Sequence, residues 1–258
     1  MKMNTCKIFL LILSFFMSVQ SFAQFSTETP ELSEPDDRCK ISLSGSLASR
    51  YLWRGMNLGG SSPHLQTEVS VDFGSSGLNL TTFASAGINN SFGELDWILT
   101  YTPVSYFSIL YSDYYVFNDL AYFDYFEYNP DSTFHTHEVS LLFNGTETLP
   151  IDVLLAINVF GFDYKNADNE IVYSKYLEVG YTFRNSAVKP RFFVGAALDT
   201  PEDNTVGYYL QSKAGIVNLG VSCSKNIQLN DKLSFPFATT LMLNPDLKEA
   251  FLAFTLSF

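Results

Sequence analysis

Charged side chains recur at even spacing along two neighbouring segments, Arg50 and Arg54 in the first and Glu68 and Asp72 in the second. Residues two or four apart share one face of an extended chain, because successive side chains point to opposite faces. If the intervening loop centres near Gly59, antiparallel pairing sets Arg50 opposite Glu68 with Cβ atoms about 5 Å apart. The expected chemistry is an ion pair. Its plainest role is to neutralise and brace the interior face, and the alternative is to select solutes by charge. Asp96, Glu138, Asp152, Glu178 and Arg191 fall on the same inward face further along, giving six acids and three arginines in all.

Nucleophilic and metal chemistry are poorly supplied. The histidines are His64, His135 and His137. A lipid hydrolase needs a Ser and a His within hydrogen-bond reach; His137 alternates with Val139 and Leu141 on an apolar face, but serines are too common to single one out. His135 and His137 lie two apart on one strand face, yet no further ligand cluster accompanies them, so no metal site is expected. No cofactor is expected either, and the chain does not read as an enzyme. Cys39 starts one strand and Cys223 lies in the middle of a late one; both are expected to be free, since their heights differ by more than the ~7 Å that a disulfide allows between Cα atoms.

The elements that must position these residues are strands. Ile41, Leu43, Leu47, Tyr51 and Trp53 alternate with Ser42, Ser44, Ser46, Ala48, Arg50, Leu52 and Arg54; Leu65, Thr67, Val69, Val71 and Phe73 alternate with Gln66, Glu68, Ser70 and Asp72. Charge stays on one face in both, a strong strand pattern. Further strands are predicted near 77–87, 93–103, 105–115, 134–145, 151–162, 172–184, 189–198, 206–228, 232–243 and 248–258, twelve in total. The segment 206–228 is long enough for two, but an odd count would put the termini on opposite sides, against the even number of bacterial single-chain barrels. Short connections alternate with long ones at 55–63, 116–133, 163–171 and 199–206, as in barrels with short periplasmic turns and long outer loops. The predicted fold is all-β, an antiparallel transmembrane β-barrel over 40–258.

Residues 1–23 carry Lys2 and Lys7, an apolar run from Ile8 to Val19 and a small-residue exit at Ser21-Phe22-Ala23, the pattern of a secretory signal peptide cleaved near Ala23. The run is well short of the ~20 residues of a spanning helix. Residues 24–39 are an acidic lead-in with Pro30 and Pro35, expected to be disordered. The full chain has a net charge of −12, which becomes two units more negative once Lys2 and Lys7 are removed. That excludes nucleic acid as a partner, since phosphate contacts need Lys and Arg. With 24 Phe and 15 Tyr, the composition suits a barrel with aromatic girdles. The stretch 114–134 is especially aromatic, and could fold into the mouth as a constriction, stack a carbohydrate or extend the girdle.

The segment Ser49-Arg50-Tyr51-Leu52-Trp53-Arg54-Gly55 running on to Pro63 resembles the N-terminal motif of the TorF-type porin family (Gcw_chp), outer-membrane barrels of uncharacterised activity. Gly93-Glu94-Leu95-Asp96 and Asn218 to Lys225 match further motifs, and Asp231 to Pro236 followed by Asn244-Pro245 resembles the C-terminal end of Bacteroidetes members. The resemblance implies the barrel fold and a porin role, with no residue-level activity.

The functional expectation is an outer-membrane barrel that passes small hydrophilic solutes or ions passively, its acid surplus favouring cations if the lumen is open. The alternative is a non-conducting structural or surface-interaction barrel that binds a partner through its outer loops. Expected partners are outer-membrane lipid and the barrel-assembly machinery, which would read Phe254, Leu256 and Phe258 of the last strand as an insertion signal.

Overall fold

The computed structural model describes residues 38–89, 92–117, 124–202, 205–230 and 233–258. The expected signal peptide, the lead-in before Arg38, and Asp231 and Lys232 lie outside them. Twelve strands close into one antiparallel barrel: β1 (Lys40–Ala48), β4 (His64–Asp72), β5 (Leu78–Gly87), β6 (Gly93–Val104), β7 (Phe107–Phe117), β8 (His135–Phe143), β9 (Ile151–Gly161), β10 (Lys175–Thr182), β11 (Arg191–Ala197), β12 (Gly215–Asn230), β13 (Leu233–Asn244) and β14 (Glu249–Ser257). Each pairs with its sequence neighbours, and β14 returns to β1. The predicted strand count is met, and residues 206–214 are loop. The short strands β2 (Leu52–Trp53) and β3 (Met56–Asn57) form a separate two-stranded hairpin.

Two expectations are corrected. The first wall strand ends at Ala48, so Arg50 and Arg54 belong to the connection and not to the wall. The β1–β4 register pairs Ser44 with Glu68 and Lys40 with Asp72, which centres the hairpin on Met56 instead of Gly59. Arg50 therefore does not face Glu68; its Nη1 donates to the Gly60 carbonyl at 3.3 Å. The cause is local: alternation at Tyr51 and Trp53 continues the pattern of β1, but these rings turn inward and pack beneath the barrel mouth.

The two faces of the wall separate cleanly. Ile41, Leu43, Leu65, Leu99, Phe192 and Leu252 stand exposed on the outside. The inner face is small and polar, with Ser44, Ser46, Gln66, Thr81, Ser85 and Ser140 buried. No helix among the described residues is long and apolar enough to cross a membrane. Cys39 and Cys223 are both free thiols.

Candidate functional site

The lumen is occupied by the chain itself. Between β1 and β4 the connection dips inward as the β2–β3 hairpin, with Leu52 paired to Asn57 and Trp53 to Met56. The two residues between them, Arg54 (φ 47) and Gly55 (φ 88), both have positive φ. Two-residue turns of this hand match the twist of the flanking strands and require φ > 0 at both positions. A non-glycine residue held there costs on the order of 1–3 kcal/mol, so something must offset Arg54.

Glu138 of β8 does so. Arg54 Nη1 bonds Glu138 Oε2, and Nη2 donates to Oε1 at 2.8 Å, a forked, charge-assisted pair. The two side chains are 8% and 1% exposed. Tyr114 and Ser140 hydroxyls donate to the same carboxylate, both at Oε1, at 3.2 and 2.6 Å. The guanidinium carbon lies 4.5 Å from the Trp53 ring centre and 5.0 Å from that of Tyr176, within cation–π range. Gly55 is fixed from the other side: its carbonyl accepts from Asn244 Nδ2 at 3.0 Å, and a Cβ there would lie 2.0 Å from the Val217 carbonyl oxygen.

A second segment closes over the first. In the connection between β11 and β12, Tyr209 is fully buried and its hydroxyl accepts from Arg54 at 3.3 Å. Tyr208 donates to Thr136 at 3.3 Å. Gln211 ties this segment to itself through Tyr209 N and to the Asp199 carbonyl. Met56, Tyr176, Tyr209, Val217, Leu142 and Leu154 form an apolar core inside the barrel. Tyr51 packs beside it against Phe83 and Phe92. The half of the lumen at the long-connection end of the barrel is thus plugged.

Beneath the plug lies a cavity of ≈ 170 Å³ reaching Asp96, Glu178 and Arg191. Arg191 donates to Asp152 (3.1 and 2.5 Å) and to Glu178 (2.8 Å), and Glu178 also accepts from Tyr176 and Asn218. The acids of β6 are placed differently: one carboxylate oxygen each of Glu94 and Asp96 is buried without a hydrogen-bond partner, as is one of Glu68. Of the nine expected inward charges, the barrel brings together Arg54 with Glu138 and Arg191 with Asp152 and Glu178. Asp96 and Glu68 line the interior, Arg50 sits at the rim, and Asp72 is instead exposed at a turn, where it accepts from Gly74 N at 2.7 Å.

The aromatic stretch does not enter the mouth in its described part. Tyr125 and Tyr128 lie against the outer wall, Tyr128 stacked on His135 with ring centres 4.3 Å apart. Burial, then the Asp113 carboxylate, pushes the Tyr128 phenol up to about 12. Tyr122 and Phe123 fall outside the described residues. The long connections are tied together by Lys165–Asp131 at 2.7 Å, which holds the Asp131 carboxyl below its ordinary value, and by Ala167 N to Glu202 at 2.8 Å.

The plug was the part that the sequence reading missed. Arg54-Gly55 is a poor copy of the Asn-Gly turn signal, and the Tyr208-Tyr209 pair looks like one more girdle aromatic.

The architecture defines a closed twelve-stranded β-barrel with an apolar outside and a filled, charged inside. Comparison with family models, curated proteins and solved structures finds no match.

Proposed function

We propose that this chain is an outer-membrane β-barrel of the porin type whose pathway for small cations is gated by the β2–β3 hairpin. The observation that carries the reading is that hairpin: it fills the mouth as a separate element whose turn is anchored to the wall by the Arg54–Glu138 pair and the Asn244–Gly55 contact, with Tyr209 and Tyr176 packed on Arg54, above a cavity that reaches Asp96, Glu178 and Arg191. A filler meant to be permanent is more economically made from wall side chains, as in barrels of about eight strands. The apolar outer face supports a lipid environment, and the export pattern of residues 1–23 supports the outer membrane. The resemblance to TorF-type porins supports the same role, and its Arg-Gly and Asn-Pro motifs meet at the Gly55–Asn244 contact. Glu68, Glu94 and Asp96 add acids to the interior, and an open lumen that hydrates and ionises them would favour cations.

In a planar bilayer under a KCl gradient, wild-type protein is expected to be mostly closed, with brief openings whose reversal potential has the cation sign. Anion-selective openings would contradict the role given to these acids. Tags inserted at Asn166 are expected to be labelled on intact cells and tags at Asn230 are not; the opposite result would invert the barrel and put the plug on the periplasmic side. The second reading, a non-conducting surface barrel, draws on the aromatic packing of Tyr208 and Tyr209 over the hairpin, and it stands if the plug cannot be opened.

A further inference from the structure

Outside the lumen, at the loop-bearing rim, β7 and β8 turn three metal-ligand side chains to the outer face. Asp113 pairs with His137 across the ladder, and Tyr115 pairs with His135. Such polar groups are foreign to a lipid-facing wall, where they cost least near the interface. Their candidate ligand atoms all lie within 4.8 Å of one another. Asp113 Oδ1 is 2.7 Å from His135 Nδ1 and 3.6 Å from His137 Nε2.

The hydrogen-bond inventory leaves a gap where these atoms converge. His135 Nε2 is 2.7 Å from the Tyr125 carbonyl oxygen, which can only accept, so this nitrogen carries the proton. The other nitrogen, Nδ1, lies 2.7 Å from Asp113 Oδ1, an imidazole–carboxylate contact that a bound metal would replace. His137 Nδ1 lies 2.5 Å from the Tyr111 hydroxyl, while its Nε2 is buried with no hydrogen-bond partner. Two imidazole nitrogens and a carboxylate oxygen thus face one point, and each imidazole has its other nitrogen held by an oxygen. Metal-ligating histidines are oriented in this way by their outer partners.

We propose that Asp113 Oδ1, His135 Nδ1 and His137 Nε2 form a binding site for a divalent transition metal of the zinc class, which clips β7 to β8 on the outer face beneath Tyr125 and Tyr128. Two nitrogens and one carboxylate oxygen make a donor set that zinc uses, with bonds of about 2.0–2.2 Å and a fourth position for water. Tetrahedral bonds of that length separate ligand atoms by roughly 3.3 Å. The 3.6 Å pair is close to this, the 2.7 Å contact must open by about 0.6 Å, and the two imidazole nitrogens, within 4.8 Å of each other, must settle to the same spacing. Tyr125 and Tyr128 cover the site, and Tyr128 stacks on one ligand ring, so loading the metal also fixes these residues. In sequence, His135 and His137 offered two ligands; the third is on the neighbouring strand, 22 residues earlier, and only the register reveals it.

The test uses the full mature chain, purified without a histidine tag in detergent and stripped with EDTA, with folding checked for every variant by heat-modifiable migration. Titration with Zn²⁺ is expected to show one saturable site, and Co²⁺ to give the visible absorption of a tetrahedral nitrogen and oxygen site. His137→Gln is expected to weaken binding at least about 100-fold, since even loss of an outer partner costs 10–100-fold. Tyr111→Phe should weaken it less, by about tenfold. His64→Gln, which changes the remaining histidine, should leave it unchanged. Protease cleavage near Tyr128 is expected to slow on Zn²⁺ addition in the wild type and not in His137→Gln. Failure of the folded wild type to bind either metal would overturn the proposal. So would binding that persists unchanged in both His137→Gln and Asp113→Asn.

Discussion

Replacing Arg54 by alanine is expected to raise the mean conductance of the inserted barrel by about tenfold or more. Removing one partner of a buried pair costs about 3–5 kcal/mol, because the other charge is left uncompensated. Here that cost falls on the closed state: with the hairpin seated Glu138 is 1% exposed, whereas an unseated hairpin lets water reach it. If about 1.4 kcal/mol of the cost reaches the closed–open equilibrium, the open population changes tenfold. Gly55→Val should act in the same direction without touching a charge, since its Cβ would meet the Val217 carbonyl at 2.0 Å and the backbone there has φ +88°. Arg191→Ala is the contrasting variant. It breaks contacts between wall strands, so it should lower resistance to unfolding while leaving the hairpin seated. Single-channel recording on inserted protein separates these cases. An inserted Arg54→Ala barrel that stays as closed as the wild type would make the hairpin a permanent filler, and the non-conducting reading would take over.

The same residues show how far the sequence carries. Strand existence is legible wherever an outward apolar stripe alternates with small polar residues, as in Leu65 to Phe73, because a one-residue slip would turn every apolar side chain inward. Loop order and strand parity then fixed the barrel. Alternation is blind, however, to whether a chain stays in the wall or folds back within it. Tyr51 and Trp53 keep the rhythm of β1 after the strand has ended at Ala48, so the charges were placed in register with the wrong partners. Glu138, Asp152, Glu178 and Arg191 sit on wall strands where the alternation is unbroken, and all four are buried. Which arginine meets which acid was out of reach: 84 residues separate Arg54 from Glu138, and the pairing depends on a hairpin entering the lumen. Nor could spacing reveal that Asp113 faces His137, because cross-strand register follows from turn lengths at both ends.

Deletion of Phe258 is expected to lower the fraction of assembled barrel several-fold, far more than deletion of one residue from the acidic lead-in. The seam that closes the barrel is short. β1 pairs with β4 over its whole length, from Lys40 to Ala48, but with β14 at Ser46, Leu47 and Ala48. Phe258 extends it: Gly45 N donates to the Phe258 carbonyl at 3.0 Å, and Phe258 N donates to the Gly45 carbonyl at 2.8 Å. Its ring lies over Gly45, where a Cβ would approach within 2.7 Å, so glycine is what lets the terminal aromatic lie flat across the seam. Leu256 and Phe254 continue the outward stripe, and Phe254 stacks on Phe237. Loss of Phe258 strips Gly45 of both partners. Each backbone group left unsatisfied in hydrocarbon costs several kcal/mol, a penalty that falls on the closed barrel and on no open intermediate. Gly45→Val offers an independent approach, because it displaces the ring while keeping every residue of the last strand. If recognition of Phe258 by the assembly machinery is the whole effect, Gly45→Val should assemble normally in cells. If seam closure contributes, Gly45→Val and the deletion should both slow refolding of purified protein into detergent, where no machinery is present, as read by heat-modifiable migration. Normal refolding of both variants would confine the role of Phe258 to recognition and remove the seam from the account.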